Sequence, residues 1–296
     1  MKILVTGCNG QLGRDLHNVL EEEMPGCTVY TDIDTLDLSD AKAVASFMER
    51  GEFSHVVNCA AFTDVERAET DQNECYRANV DAVHNLASAA TEFNVKVLHV
   101  STDYVFDGKT CRPYREADRV NPMSVYGTTK RKGEMVLLSL CPDSIVIRTG
   151  WLYSPYGRNF VKTMLDLGRS RKEIRVVSDQ IGTPTYSRDL ASAIKTVITS
   201  NQWVPGIYHY SDEGVCSWYD FTKTIFHEAG IENCKVIPVT TEDYPTAATR
   251  PPYSVLDKNL IKRTYGITIP HWAESLRLCL DRMPLDLSLI HISEPT

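Results

Sequence analysis

The chain has 296 residues, 43% of them hydrophobic and 24% charged, a balance typical of a soluble globular protein with a sizeable core. At roughly 150 residues per domain, this length predicts about two domains. The 31 basic and 39 acidic residues give a net charge of -8, which argues against a general nucleic-acid surface.

The cysteines and the N-terminus indicate a cellular location. Nine scattered cysteines form no CxxC pair and no zinc spacing, which predicts reduced thiols in a cytosolic protein. The start "MKILVTG" has too few consecutive apolar residues for a signal-peptide core. No apolar run approaches the ~20 residues of a membrane span. We therefore expect a cytoplasmic protein without a membrane segment.

Short apolar runs alternate with helical patterns along the first half, which is typical of βαβ units and a parallel sheet. The predicted strands cover 3–5, 28–34, 55–61, 95–101 and 144–150, and helices are predicted at 40–50, 73–93 and 122–140. After about residue 150 the rhythm changes, and prolines separate further helices from a strand at 207–210. This pattern predicts an α/β fold, a Rossmann-type doubly wound parallel sheet with a smaller C-terminal α/β domain.

A glycine loop, "TGCNGQLG" at 6–13, joins the first predicted strand to the first helix. Gly7, Gly10 and Gly13 have the spacing GxxGxxG, one residue wider than the GxGxxG dinucleotide fingerprint. Glycines there permit a tight turn and a close backbone approach to a pyrophosphate, and the amides at the helix start face the phosphates. The alternative is a plain βα turn, but the position after an N-terminal strand favours a dinucleotide site.

The end of the second strand predicts the adenosine contacts. Asp32 lies about 20 residues beyond the last glycine, the distance expected of a carboxylate that binds the ribose 2′-hydroxyl. That charge would favour NADH, whereas Arg14 could meet the 2′-phosphate of NADPH, so the preference stays open. Asp37 and Leu38 could flank the adenine, and Asp40 could simply cap a helix.

The stretch "NPMSVYGTTKRKGE" at 121–134 carries a tyrosine and a lysine four residues apart. Asn121 and Pro122 suit a helix start, so Tyr126 and Lys130 should share one helix face. An ammonium one turn away is expected to lower the pKa of the phenol and make it a usable acid. Gly127 in this helix predicts a close approach by a neighbouring segment.

The stretch "STDYVFDG" at 101–108 follows a predicted buried strand. Ligands bind at the carboxyl ends of strands in open α/β sheets, so Thr102 could meet the same substrate oxygen that Tyr126 protonates. The alternative is that Ser101 and Thr102 only cap a turn.

These motifs, with "NCAA" at 58–61 and Asn79, resemble the extended short-chain dehydrogenase/reductase family. "STDYVFDG", "NPMSVYGTTKRKGE", "IRTGWLY", "NFVKTML", "SDQIGTPTY" and "YPTAATRPPYSVLD" resemble more narrowly the dTDP-4-dehydrorhamnose reductases, over roughly residues 1–283. This resemblance implies a nicotinamide-dependent reductase, with NADPH or NADH as cofactor and a dTDP-linked 4-keto-6-deoxysugar as substrate.

The resemblance also implies roles for individual residues. The implied catalytic set is Thr102, Tyr126 and Lys130. The implied cofactor site consists of Gly7, Gly10, Gln11, Leu12, Gly13, Asp32, Asp37, Leu38, Ala60, Ala61 and Thr63, together with Tyr126 and Lys130. The implied substrate site consists of Thr102, Asp103, Tyr104, Trp151, Asn159 and Arg250, of which Trp151 could equally be a core residue.

On this basis residues 1–150 are predicted to form an NAD(P)-binding Rossmann domain, to which some later segments return. Residues 151–285 are predicted to bind substrate. The tail at 286–296 has no clear periodic pattern, as in a frayed terminus or a cloning scar, and is assigned no function.

Some members of the family implied by the resemblance bind Mg²⁺ between subunits through acidic residues. Asp15 could serve here, but Arg188 stands where an acid is expected, so we assign no metal site. A homodimer is left open.

Two other functions share the motifs. The fold is also similar to the regulatory beta subunit of methionine adenosyltransferase, which an intact Thr–Tyr–Lys set disfavours. A nucleotide-sugar epimerase would use the same Tyr–Lys chemistry but would retain its cofactor on purification.

Overall fold

The computed structural model describes residues 1–283 and has a six-stranded, wholly parallel sheet at its centre. Its strands are β1 (Ile3–Thr6), β2 (Thr28–Thr31), β3 (His55–Asn58), β4 (Lys96–Thr102), β5 (Ile145–Thr149) and β10 (Gly206–His209). They lie in the order β2-β1-β3-β4-β5-β10, so the strand order reverses between β1 and β3. In open α/β sheets such a reversal opens a crevice at the carboxyl ends of the strands.

Helices cover both faces of this sheet. They are α1 (Gln11–Glu23), α2 (Ala41–Gly51), α3 (Val65–Ala68), α4 (Gln72–Tyr76), α5 (Ala82–Glu92), α6 (Val125–Leu140) and α8 (Ser187–Thr199). One core cluster joins α1 and α8 to the sheet, and a second joins α2, α5 and α6 to its other face. The predicted doubly wound α/β fold is confirmed.

A smaller α/β unit follows β5. Its strands pair as β6 (Leu152–Tyr153) with β9 (Thr185–Tyr186), β7 (Glu173–Val177) with β12 (Lys235–Val239), and β8 (Ile181–Gly182) with β11 (Cys216–Ser217). Its helices are α7 (Phe160–Ser170), α9 (Trp218–Glu228) and α11 (Trp272–Asp281), and α10 (Asn259–Tyr265) contacts β10 of the main sheet. Tyr153, Phe221 and Trp272 belong to a separate buried cluster in this unit.

Two details of the local structure differ from the predicted elements. The helix expected at 122–140 begins at Val125 and not at Pro122. Ser124 is its N-cap, because the Ser124 hydroxyl accepts a hydrogen bond from the Gly127 amide. The helix expected at 73–93 is interrupted by a π-helical turn at Arg77–Asp81. The side chain of Asn79 in this turn bonds both the amide and the carbonyl of Phe62.

The segment 207–210 takes part in the main sheet, because β10 pairs with β5 at the sheet edge. The domain boundary at residue 150 stays a prediction, and the predicted tail at 286–296 lies outside the described residues. Within residues 1–283, no helix combines the length and apolarity needed to cross a membrane.

Candidate active site

A cleft of about 670 Å³ opens at the carboxyl ends of the main sheet. Residues that directly follow β1, β2, β3, β4 and β5 line it, and residues of the smaller unit close its other side. Every residue that the sequence assigned to the catalytic, cofactor or substrate site borders this one cleft. The structure therefore brings the candidates together, and their individual roles stay predictions.

The glycine loop forms one end of the cleft. A Cβ on Gly7 would lie 2.7 Å from the Ala60 nitrogen, and one on Gly13 would overlap the Gly7 carbonyl. A Cβ on Gly10 would meet only the Gly7 oxygen, at 3.3 Å. Gly10 is the N-cap of α1 and no side chain caps that helix, so its first amides remain available to an anion. The loop thus fits the pyrophosphate of a dinucleotide.

Asp32 lies beside this loop at the end of β2. Its two carboxylate oxygens accept backbone bonds of 2.8 Å from the amides of Asn9 and Ile33. Arg14 donates from Nε to the Asn9 carbonyl at 3.0 Å. Asp32 therefore borders the cleft, Arg14 is bound to the same loop, and the preference between NADPH and NADH stays open. Asp40 caps α2 through the amides of Lys42 and Ala43, as the sequence suggested.

Helix α6 brings Tyr126 and Lys130 to the same cleft that Thr102 borders. The Thr102 hydroxyl is fixed by the turn after β4: it accepts from the Tyr104 amide at 3.2 Å and donates to the Asp103 carboxylate at 3.1 Å. Thr102 therefore caps a 3₁₀ turn, as one alternative from the sequence held, and it also borders the cleft; its contact with a substrate oxygen stays a prediction.

The pKa of Tyr126 does not behave as the sequence suggested. Burial raises the pKa of the phenol above its ordinary value of 10.0, and a hydrogen bond with Thr102 acts in the opposite direction. The expected lowering is wrong for this structure, because burial outweighs it, and the amine of Lys130 is bound to β4. Its Nζ atom donates to the Val100 carbonyl at 2.8 Å and lies 3.3 Å from Nε2 of His99. Burial lowers the pKa of Lys130 itself to about 8.

Tyr104 packs against the edge of Tyr126, with ring centroids 5.6 Å apart and an interplanar angle of 74°. A Cβ on Gly127 would overlap the carbonyl oxygen of Tyr104. The predicted close approach at Gly127 is therefore present, and the absence of a side chain lets α6 lie directly against the turn after β4.

Trp151 borders the cleft together with a partner that the sequence did not suggest. Its ring stacks on Trp218, with centroids 3.4 Å apart and an interplanar angle of 5°. Trp151 has a positive φ of 52°, a backbone conformation unusual for a large side chain. Both rings border the cleft. Trp218 begins α9, and no sequence motif connected it with residue 151.

Arg250 is held at the cleft by Glu66 of α3. The guanidinium donates to the Glu66 carboxylate at 2.7 Å, and the same carboxylate accepts from the amides of Ala247 and Ala248 at 2.8 and 3.2 Å. One acid from the first half of the chain thus anchors the loop that carries Arg250.

Asn159 has a structural role that the sequence did not suggest. Its Oδ1 caps α7 by accepting from the Lys162 amide, and its Nδ2 donates to Gln11 and to the Ser154 carbonyl at 3.0 and 2.8 Å. A direct bond from Asn159 to a ligand would therefore require these contacts to rearrange.

Asp15, the residue considered for Mg²⁺, is buried and already paired. It accepts hydrogen bonds from Ser187 and from Arg282, the latter at 3.0 Å. Arg188 instead pairs with Glu22 on α1. Among residues 1–283, no group of three or more His, Cys, Asp or Glu side chains is placed to hold a metal.

Comparison with known proteins places the chain in a family. The family model of the RmlD substrate binding domain matches residues 1–285. The chain is 42% identical to the dTDP-4-dehydrorhamnose reductase of Aggregatibacter actinomycetemcomitans over 285 residues, which covers 93% of this chain and 97% of the relative. The chain belongs to the dTDP-4-dehydrorhamnose reductase family.

Solved structures of dTDP-4-dehydrorhamnose reductases share the whole fold. One from Clostridium acetobutylicum is 43% identical, with a TM-score of 0.91 and coverage of 95% of this chain and 99% of that one. One from Bacillus anthracis, in complex with NADP, is 37% identical, with a TM-score of 0.90 and the same coverage. The resemblance to this family of oxidoreductases is confirmed.

Proposed function

We propose that this protein reduces the 4-keto group of dTDP-4-dehydro-L-rhamnose to give dTDP-L-rhamnose, with NADPH or NADH as the electron donor. The observation that carries this proposal is the position of Tyr126, Lys130 and Thr102 on one cleft whose far end is the glycine loop. Family membership and the NADP bound to the Bacillus anthracis relative support the cofactor.

The glycine loop and the N-terminus of α1 hold the pyrophosphate, and Asp32 borders the adenosine. A reduced nicotinamide bound there would supply the hydride that C4 of the sugar accepts. Thr102 holds the carbonyl oxygen by turning its hydroxyl proton from Asp103 to that oxygen, while the Tyr104 amide keeps Oγ1 in place. Tyr126 gives its proton to the same oxygen, so the ketone becomes an alcohol and the phenol becomes a phenolate.

The smaller unit holds the rest of the substrate. Trp151 and Trp218 present a flat apolar wall against which a sugar or base can pack. Arg250 offers a cation to the diphosphate, at a point where Glu66 already orients it. Asp103 and Tyr104 position the sugar beside Thr102.

Turnover of dTDP-4-dehydro-L-rhamnose with NADPH and, separately, with NADH tests the proposal. The reductase consumes cofactor and substrate in equal amounts and releases the cofactor on purification. Tightly retained NAD without net consumption would instead identify an epimerase. The absence of turnover with several 4-keto sugars would favour a regulatory subunit.

A homodimer and a cytoplasmic location are further proposals, of which the scattered cysteines support the location. Sedimentation of the purified protein over a range of concentrations measures the first. Fractionation of the source cells measures the second.

A further inference from the structure

A row of buried polar side chains crosses the middle of the main sheet behind the cleft. Thr6 on β1 pairs in register with Asn58 on β3, and Asn58 pairs in register with His99 on β4. Lys130 reaches this row from α6. All four residues are at most 2% exposed. Buried polar groups must satisfy one another, so the row fixes where each proton lies.

The orientation of the Asn58 amide is set by an obligatory donor. The backbone amide of Ala60 donates to Oδ1 of Asn58 at 3.1 Å, and Thr6 donates to the same oxygen at 2.7 Å. Turning the amide over would place its NH₂ group against the Ala60 N–H. Nδ2 of Asn58 must therefore face His99, whose Nδ1 lies 3.0 Å away.

The proton on His99 follows from this orientation. Nδ2 of Asn58 is a donor only, so Nδ1 of His99 has to accept. Burial keeps the imidazole neutral by lowering its pKa well below the ordinary value. A neutral imidazole carries one proton, which must then be on Nε2, the atom 3.3 Å from Nζ of Lys130.

This N–H distinguishes between the two forms of Lys130. A neutral amine has a lone pair that can accept the Nε2 proton, whereas an ammonium has only donors and would face a second donor. The Val100 carbonyl accepts from either form. We propose that His99, fixed by Asn58 as the Nε2–H tautomer, is a positioning residue that holds Lys130 and favours its neutral amine.

The consequence for catalysis rests on the proposed function. Once Tyr126 has given up its proton, a lysine that titrates near the working pH can return one: the ammonium becomes an amine, the phenolate becomes a phenol, and solvent restores the lysine proton. Proton exchange is most efficient when the pKa of the group lies near that pH. His99 thus prepares Lys130 for this step without touching the substrate.

Burial is the largest cause of the lowered pKa of Lys130, and the titratable groups around the amine act in the other direction. Glu134, on the same helix, raises the pKa of Lys130, as do Cys59 and Cys75. Glu134 is engaged by Arg148 through two bonds of 2.8 Å. The two thiols are neutral near pH 7, because burial raises the pKa of each.

Nitrogen NMR of histidine-labelled protein between pH 6 and pH 9 tests the tautomer directly. His209 on β10 is an internal reference, because its Nδ1 lies 3.1 Å from the Tyr114 carbonyl and has to donate. We expect the proton on Nε2 of His99 and on Nδ1 of His209. A proton on Nδ1 of His99, or on both of its nitrogens, would overturn the proposal.

Carbon NMR of lysine-labelled protein measures the pKa of Lys130 and so tests the effect of His99 on it. The signal that is missing in Lys130→Met is assigned to Lys130. His99→Phe removes the N–H at similar volume, so the pKa of Lys130 should rise by about one unit, the effect of one hydrogen bond. His209→Phe removes an equally buried imidazole and should leave that pKa unchanged. An unchanged value in His99→Phe would contradict the proposal.

The pH profile of cofactor consumption separates this inference from the proposed function. In the active enzyme, the part of the pH–rate profile that reports the titration of Lys130 should move to higher pH in His99→Phe. An unchanged profile would contradict the role of His99. If the wild type shows no turnover, the proposed function fails, and the two NMR measurements still decide the inference. If His99→Phe does not fold, the tautomer in the wild type decides it.

Discussion

The two sides of the cleft are built in different ways. The cofactor side consists of backbone at the ends of β1 to β4 and the start of α1, where a side chain added to Gly7 or Gly13 would collide with the main chain. The substrate side consists of side chains held by distant partners, such as Trp151 on Trp218 and Arg250 on Glu66.

This difference determines what each side tolerates. Backbone placed by the sheet cannot move without unfolding its neighbours, so the cofactor side should be rigid. On the substrate side, each side chain is held by one partner and can be changed without disturbing the others. Each substitution there should therefore remove only part of the affinity for the substrate. Four substitutions test this contrast, beginning with the largest expected effect.

Tyr126→Phe should produce the largest loss, because it removes the proton donor where the two sides meet. Turnover should fall by roughly 10² to 10⁴, the usual effect of a positioned general acid. Cofactor affinity should be retained, since the ring still packs against Tyr104. Steady-state NADPH oxidation with the keto sugar and cofactor titration measure both quantities. Tyr76→Phe, on an exposed ring of α4, is the control.

Gly10→Val should weaken NADPH binding by roughly tenfold or more, which is about 1.4 kcal/mol or above. The added methyl groups would point into the pyrophosphate space, while the contact with Gly7 is tolerable at 3.3 Å. Calorimetric titration and thermal melting should show a folded protein with reduced affinity. Gly13→Val in the same loop should instead fail to fold stably. Unchanged affinity in folded Gly10→Val would contradict the phosphate assignment.

Trp218→Leu should raise KM for the keto sugar by roughly tenfold and leave NADPH affinity unchanged, because Trp151 loses the ring it stacks on. Initial rates over a series of sugar concentrations measure the effect. Trp203→Leu, whose indole bonds the Asp143 carbonyl away from the cleft, serves as the control. Equal effects from both variants would mean that the stacked pair contributes only stability.

Lys130→Met should increase the free energy of unfolding near pH 7, because below its pKa of about 8 the buried lysine is still mostly an ammonium, which is costly to bury. The folded pKa of about 8 lies below the ordinary 10.5, so between these values the unfolded chain binds more protons than the folded one. Wild-type stability therefore rises with pH across this window, by up to about 3 kcal/mol. Urea denaturation from pH 7 to pH 10.5 should show the advantage of the variant shrinking. Lys132→Met, exposed on the same helix, should show no such trend.

The same contrast explains what the sequence could predict. Strands, helices and the glycine loop follow from local patterns, because the residues that cause them are neighbours in the chain. The Tyr126–Lys130 pair was visible for the same reason, as two residues on one turn of a helix. Helix boundaries were less exact: the helix expected to start at Pro122 is capped by Ser124 and starts at Val125.

What the sequence could not provide were contacts between distant segments. Three such contacts depend on the folded chain: the stack of Trp151 on Trp218, the hydrogen bonds of Glu66 to the Arg250 loop, and the hydrogen bonds that occupy the Asn159 side chain. The direction of the Lys130 side chain is of the same kind, since His99 and Val100 on β4 determine it. For His99, the one available signal was a polar residue between the apolar residues Leu98 and Val100 of β4.

Deuterium transfer tests the central claim, the reduction of a keto sugar in this cleft, most directly. The protein is incubated with dTDP-4-dehydro-L-rhamnose and NADPH carrying deuterium at the transferable C4 position. The account predicts deuterium at C4 of the product sugar with the wild type, and a much slower appearance with Tyr126→Phe. NADPH oxidation without deuterium at sugar C4 would contradict it.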